Sequence, residues 1–229
     1  MHTVKVKLCG LMREEDILLC AEAGADILGF VVEYPVKVPW NLLTDRAKEL
    51  LSVVPDNKKK CVVTGGSSEK IIELARQLRP DYLQLHYQET AEDIQQIVAA
   101  VSSLGIEIIK TVPCKKEERF KQSGAEDVTE CARIFSEAGA SILLVDSRGP
   151  SNASKKSVSF DRKLFEKVKT AVLCPVMAAG GITAQNCAQI MEQLLPDYID
   201  VMTGIENCPG EKSFEKVRAL MGKVSSVRC

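Results

Sequence analysis

Val176-Met177-Ala178-Ala179-Gly180-Gly181-Ile182-Thr183 opens a unit that closes at Tyr198-Ile199-Asp200-Val201-Met202-Thr203-Gly204. The apolar run Val176–Ala179 reads as a strand buried on both faces, the pattern that parallel sheets impose. Thr183–Leu194 carries helical spacing, and Tyr198–Met202 reads as a second strand. Strand, helix and strand in that order make a crossover unit, right-handed in nearly all proteins.

Working outward, the same unit recurs along the chain. Strands are expected at Val4–Leu8, Ile27–Val32, Cys61–Thr64, Tyr82–His86, Ile106–Val112 and Ile142–Asp146. Helices are expected at Glu14–Ala23, Thr44–Val53, Ser68–Leu78, Thr90–Ser103, Glu126–Ala138 and Asp161–Thr170, with a last one at Ser213–Lys223. Gly24 and Gly139 punctuate helix ends, and Pro55 and Pro80 stand just beyond two others. Eight strands and eight helices in strict alternation, within one domain spanning 1–229, belong to the α/β class and suit a closed (β/α)₈ (TIM) barrel without exposed sheet edges. An open doubly wound sheet is the competing architecture, but no G-x-G-x-x-G follows the first strand.

Composition narrows the function classes. Of 229 residues, 45% are hydrophobic and 27% charged, enough for a large core inside a solvated shell. A net charge of −1 provides no field for nucleic acid or an anionic membrane, so neither is an expected partner. Any anion must be held by a local site. The nine cysteines include no C-x-x-C pair, and four of them (Cys20, Cys61, Cys131 and Cys187) lie in apolar runs as small buried hydrophobes. Two histidines are too few for a His-rich metal site. The start of the chain has no secretory pattern and no apolar run reaches ~18 residues, so a reducing cytoplasm is the expected setting.

In a barrel the chemistry belongs to strand C-termini and the loops after them. Gly180-Gly181 before a helix, and Thr203-Gly204 after the last strand, bring backbone N–H groups to one place where a phosphate can sit. A small phosphorylated substrate is therefore expected. Cys9 ends the first strand and is either a packed thiol or a base and nucleophile. Asp146 ends a very apolar strand and reads as a general acid or as a loop cap. His86 reads as a structural histidine or a substrate contact. Lys110 pairs with Asp146 or meets substrate, and Asp200 pairs inside the barrel or meets substrate. The long loops Lys37–Asn41 and Ser147–Ser159 are expected over the active face.

Lys7-Leu8-Cys9-Gly10-Leu11, with Arg13-Glu14-Glu15-Asp16 and Ala23–Phe30, resembles the opening of the phosphoribosylanthranilate isomerase family. Gln84-Leu85-His86, Ile109-Lys110, Leu144-Val145-Asp146-Ser147, Ala179-Gly180-Gly181-Ile182 and Gly204-Ile205-Glu206 continue the likeness in order. The resemblance implies a cofactor- and metal-free Amadori rearrangement of an N-phosphoribosyl amine in tryptophan biosynthesis, by a monomer or homodimer. It implies Cys9 as general base at C2′ and Asp146 as general acid at the ring oxygen. Gly180, Gly181, Thr203 and Gly204 would hold phosphate, with Arg13, His86, Lys110 and Asp200 as further substrate contacts. Three departures stand out. Val38-Pro39-Trp40 replaces the family's Ser-Pro-Arg, Tyr87 replaces a glycine, and Arg148-Gly149-Pro150-Ser151-Asn152 replaces a Gly-Gly-Thr-Gly loop. Either a basic residue such as Arg148 takes over the arginine's task, or the barrel acts on another phosphorylated sugar or sugar-amine. A barrel that binds a phosphometabolite without catalysis is a third reading, which retention of both Cys9 and Asp146 disfavours.

Overall fold

The computed structural model describes residues 3–147 and 160–228. Eight parallel strands close one barrel in chain order: β1 (Lys5–Leu8), β2 (Ile27–Val31), β3 (Lys59–Thr64), β4 (Tyr82–Leu85), β5 (Glu107–Thr111), β6 (Ile142–Asp146), β7 (Val176–Ala179) and β8 (Tyr198–Val201). All eight expected strands are present, and β1 closes the ring by pairing with β8. The helices between them are α1 (Glu14–Glu22), α2 (Thr44–Val53), α3 (Ser68–Leu78), α4 (Ala91–Val101), α5 (Lys116–Ser123), α6 (Val128–Glu137), α7 (Arg162–Ala171) and α8 (Cys187–Leu194). After β8 a short hairpin, β9 (Glu206–Cys208) and β10 (Glu211–Lys212), precedes α9 (Phe214–Arg228).

The strict alternation expected from sequence therefore breaks in two places. Helix α5 was not expected, because Lys116–Ser123 has no apolar stripe; the side chains it buries are Arg119 and Gln122. The Arg119 guanidinium replaces a hydrophobic anchor by donating to the carbonyls of Pro113, Cys114 and Glu126. The hairpin was also missed, as was the true start of α8, which begins at Cys187 rather than Thr183. Asn186 explains the delay: its amide accepts from Thr183 N at 2.8 Å and donates to the Gly181 carbonyl at 2.8 Å, holding 181–186 in a turn.

Period-two alternation sorts every strand into two layers. Val6, Leu8, Leu28, Phe30, Val62, Leu83, Ile108 and Leu143 face the helices and build the larger core. Ile27, Val31, Cys61, Tyr82, Ile109, Leu144, Met177 and Tyr198 fill the barrel. Lys110 shares the parity of Ile108, which corrects the expectation that it meets Asp146 or substrate. Its fully buried ammonium lies over the Phe135 ring of α6, 5.2 Å from the centroid, and 3.4 Å from the Glu89 carboxylate. Its neighbour Thr111 takes the inward place. Glu89, which sequence reading did not single out, also accepts from Gly66 N at 3.1 Å and Tyr87 N at 3.0 Å, tying together the loops after β3 and β4.

Removing one partner of a buried pair leaves the other uncompensated. Glu89→Gln is expected to lower unfolding free energy by at least about 2 kcal/mol in urea titration. Adding Lys110→Met should recover much of the loss. A single variant within ~0.5 kcal/mol of the parent would show that the pair is not the constraint described.

Candidate active site

A cavity with about 830 Å³ of empty space, part of it open to solvent, sits at the C-terminal mouth of the barrel. Its base is electrostatic. Lys7 and Asp200 are register partners across the β1–β8 seam, both inward-facing, and Lys7 Nζ donates to Asp200 Oδ2 at 2.7 Å. Burial by itself lowers the Lys7 ammonium, but Asp200 and the thiols of Cys9 and Cys61 outweigh it, and the net effect is a raised pKa. Asp200 Oδ1 is buried without a hydrogen-bond partner, and the residue lines the cavity, so a substrate hydroxyl would satisfy it.

Cys9 lies two residues beyond Lys7, on the same face, and lines the cavity. Burial pushes its thiol up, while the Lys7 ammonium works against that shift. Room for the sulfur comes from Gly29 on β2: a Cβ there would stand 2.8 Å from Cys9 Sγ and 3.1 Å from Lys7 Cε.

Asp146 ends β6 and lines the same cavity. Its Oδ2 lies 3.8 Å from His86 Nε2. The Gln84 amide nitrogen donates to His86 Nδ1 at 3.1 Å, and the Thr111 hydroxyl sits 2.9 Å from the same nitrogen. With Nδ1 accepting, the ring proton is on Nε2 and faces Asp146. Burial, reinforced by Lys7 and Lys110, holds the imidazole neutral down to about 3, so its approach to Asp146 is dipolar rather than a salt bridge.

The two glycine turns adjoin each other and Asp146. Gly180 has φ +90°, and a Cβ there would fall 2.5 Å from Asp146 Oδ1 and 2.7 Å from Ser147 N. A Cβ on Gly204 would fall 2.0 Å from the Ile182 carbonyl oxygen, so the loops after β7 and β8 touch backbone to backbone. Gly180, Gly181, Ile182 and Thr203 line the cavity; Gly204, expected with them, is not among its lining residues and packs against Ile182.

The opposite wall is apolar and aromatic. Tyr34 donates to the His86 carbonyl at 2.8 Å, and Asn41 pins the loop after β2 by accepting from Tyr34 N and donating to Tyr34 O. Trp40 is 4% exposed; its indole N–H donates to Glu206 Oε1 at 2.8 Å, and Lys212 Nζ donates to the same oxygen at 2.7 Å. This wall uses the loop expected to lengthen after the second strand.

Of the residues expected from sequence, Cys9, Asp146, His86, Asp200, Gly180, Gly181 and Thr203 converge on this cavity. Arg13 does not line it. Its guanidinium is held by Asp16 at 2.8 and 2.9 Å, and Asp16 accepts from Lys212 N at 3.2 Å, so it braces the hairpin instead of meeting substrate. Arg148, with most of the long loop after β6, lies outside the described residues. Neither Gln84 nor Gly29 was given a site role from sequence. Gln84, two residues before His86, was findable by strand parity.

The neutral His86 has a pH consequence. In the unfolded chain an imidazole takes up its proton near 6.5, whereas the folded value is about 3. Because the folded value is the lower, this stabilisation is fully present above pH 6.5 and is lost as pH falls from 6.5 towards 3. Between pH 7 and 5 the parent should lose up to about 2 kcal/mol more stability than His86→Gln, by urea unfolding at each pH. Parallel losses would show that His86 is charged in the fold.

The family model described as N-(5′-phosphoribosyl)anthranilate (PRA) isomerase matches residues 6–223. The N-(5′-phosphoribosyl)anthranilate isomerase of Haloferax volcanii is 30% identical over 226 residues, covering 98% of this chain and 94% of that protein. The same-named protein of Halorubrum lacusprofundi is 30% identical over 214 residues, 93% of this chain and 92% of its own length. Among solved structures, phosphoribosyl anthranilate isomerase from Thermus thermophilus superposes with a TM-score of 0.78 at 25% identity, covering 98% of this chain and all of that one. A match over nearly the whole barrel, at a site of this make-up, identifies the chain as an enzyme of the N-(5′-phosphoribosyl)anthranilate isomerase family.

Proposed function

We propose that the protein rearranges N-(5′-phosphoribosyl)anthranilate, or a closely related N-phosphoribosyl arylamine, to the 1-arylamino-1-deoxyribulose 5-phosphate, as a step of tryptophan biosynthesis. One observation carries this reading: a thiol from β1 and a carboxyl from β6 open on one cavity whose end is built from two adjoining glycine turns. The family membership supports the same assignment.

Gly180, Gly181, Thr203 and Gly204 hold the phosphate, whose charge their backbone N–H groups satisfy without a cationic side chain. Asp146 gives its proton to the ring oxygen as the C1′–O bond breaks, and the amine nitrogen's lone pair forms C1′=N⁺. Cys9, as thiolate, takes the proton from C2′; the released pair forms C1′=C2′ and neutralises the nitrogen. The resulting enolamine tautomerises, its C2′ hydroxyl becoming the ketone as C1′ gains a proton. Every electron pair stays within the substrate, so the rearrangement is an isomerisation with no external oxidant. Asp200 accepts from a ribose hydroxyl through its unpartnered Oδ1. Lys7 acts through Cys9: a buried ammonium beside the thiol favours the thiolate that burial opposes. His86 directs its Nε2–H at the Asp146 carboxyl and so orients the acid.

A serine hydroxyl is a far weaker base than a thiolate. Cys9→Ser is therefore expected to lower turnover at least ~100-fold in a fluorescence assay of phosphoribosylanthranilate consumption, with product-analogue affinity nearly unchanged. Turnover close to that of the parent would remove Cys9 from the chemistry.

A further inference from the structure

The proton transfers use one half of the cavity; the half beside Trp40 remains to be explained. Its wall is Val31, Tyr34, Val38, Trp40, Val63 and Met202. Among the described residues that line the cavity there is no lysine or arginine. Lys7 and Lys212, the buried ammonium groups of β1 and β10, each lie 2.7 Å from a carboxylate oxygen, on Asp200 and Glu206. The charged side chains that do line the cavity are Asp146 and Asp200, of the wrong sign for an anionic ring.

A carboxylate carried on the substrate's aryl ring would lose water against alkyl and indole carbon and gain no cation from this wall. An unsubstituted ring loses nothing comparable and gains apolar burial and aromatic contact. Trp40 cannot retreat to make room for solvent. Its N–H is bonded to Glu206, and the backbone of Gly10 lies against the neighbouring carbon of the same pyrrole edge, where a Cβ would stand 3.0 Å from Trp40 Cδ1.

We infer that this half of the site recognises the aryl ring through apolar and aromatic contact and gives little advantage to an ortho carboxylate. Carboxylate-free N-phosphoribosyl arylamines are then substrates alongside phosphoribosylanthranilate. The inference rests on the proposed rearrangement and extends it to substrate class, with Trp40 as the residue that sets it.

The test compares two stable product analogues, the reduced 1-arylamino-1-deoxyribulose 5-phosphates made from anthranilate and from aniline, titrated calorimetrically into the full chain. The two affinities should lie within about fivefold of each other, or favour the aniline ligand. An arginine fork on a carboxylate is worth ~10-fold or more, so a larger preference for the anthranilate ligand overturns the inference. Because the ratio is read on the whole chain, a cation supplied by residues 148–159 would appear as that same overturning result. Trp40→Ala should weaken both ligands by a similar factor, roughly fivefold or more, while ribose 5-phosphate binding is retained as a check on folding. A loss confined to one ligand also contradicts the inference. If both analogues bind and the anthranilate ligand is strongly preferred, the rearrangement survives and only this extension falls. If neither binds, the rearrangement falls with it.

Discussion

Where the first strand of the barrel meets the last, Lys7 and Asp200 face each other inside the closed sheet at 2.7 Å. Both are nearly inaccessible, so neither charge is tolerable without the other. The pair joins the two ends of the chain's strand order, and its position is fixed by the β1–β8 register. It also sets the potential of the cavity floor: the ammonium lies beneath Cys9, and one carboxylate oxygen is left unsatisfied within the residue that lines the pocket. Gly29 is the steric counterpart, since a side chain there would occupy the space of both the Lys7 stem and the Cys9 sulfur.

Above that floor the site divides by chemistry. One end is backbone, with the turns after β7 and β8 in contact through Gly204 and Ile182 and with Asp146 against Gly180. The other end is side chain, an aromatic and aliphatic wall held from behind by the Glu206–Lys212 pair and the Arg13–Asp16 brace. Under the proposed function a phosphate would meet the first end and an aryl ring the second, which would orient a phosphoribosyl arylamine with its ribose between the thiol and the carboxyl.

The barrel was legible because parallel strands buried on both faces leave unbroken apolar runs, and Gly or Pro marks the helix ends. Strand ends named Cys9, Asp146, His86 and Asp200 for a similar reason: a polar residue after such a run needs a cleft or a partner. What sequence hid was orientation and long-range pairing. Lys110 and Thr111 are adjacent at the end of β5, and only the pleat turns Thr111 towards His86 and Lys110 towards Glu89. Helix α5 was invisible because arginine-to-carbonyl bonds, not an apolar stripe, anchor it. Trp40 was noticed as a departure, but its anchor Glu206 lies 166 residues away, and no local pattern announces that bond.

The most direct measurement of the central claim is a crystal structure with the reduced anthranilate-derived product analogue bound. The account predicts its phosphate on the amides of Gly180, Gly181 and Gly204, with Cys9 Sγ within roughly 3.5 Å of the carbon that was C2′. The Asp146 carboxyl should lie at hydrogen-bond distance from the oxygen that was in the ring. A phosphate bound elsewhere, or a sulfur beyond reach of that carbon while the ligand fills the cavity, would contradict it.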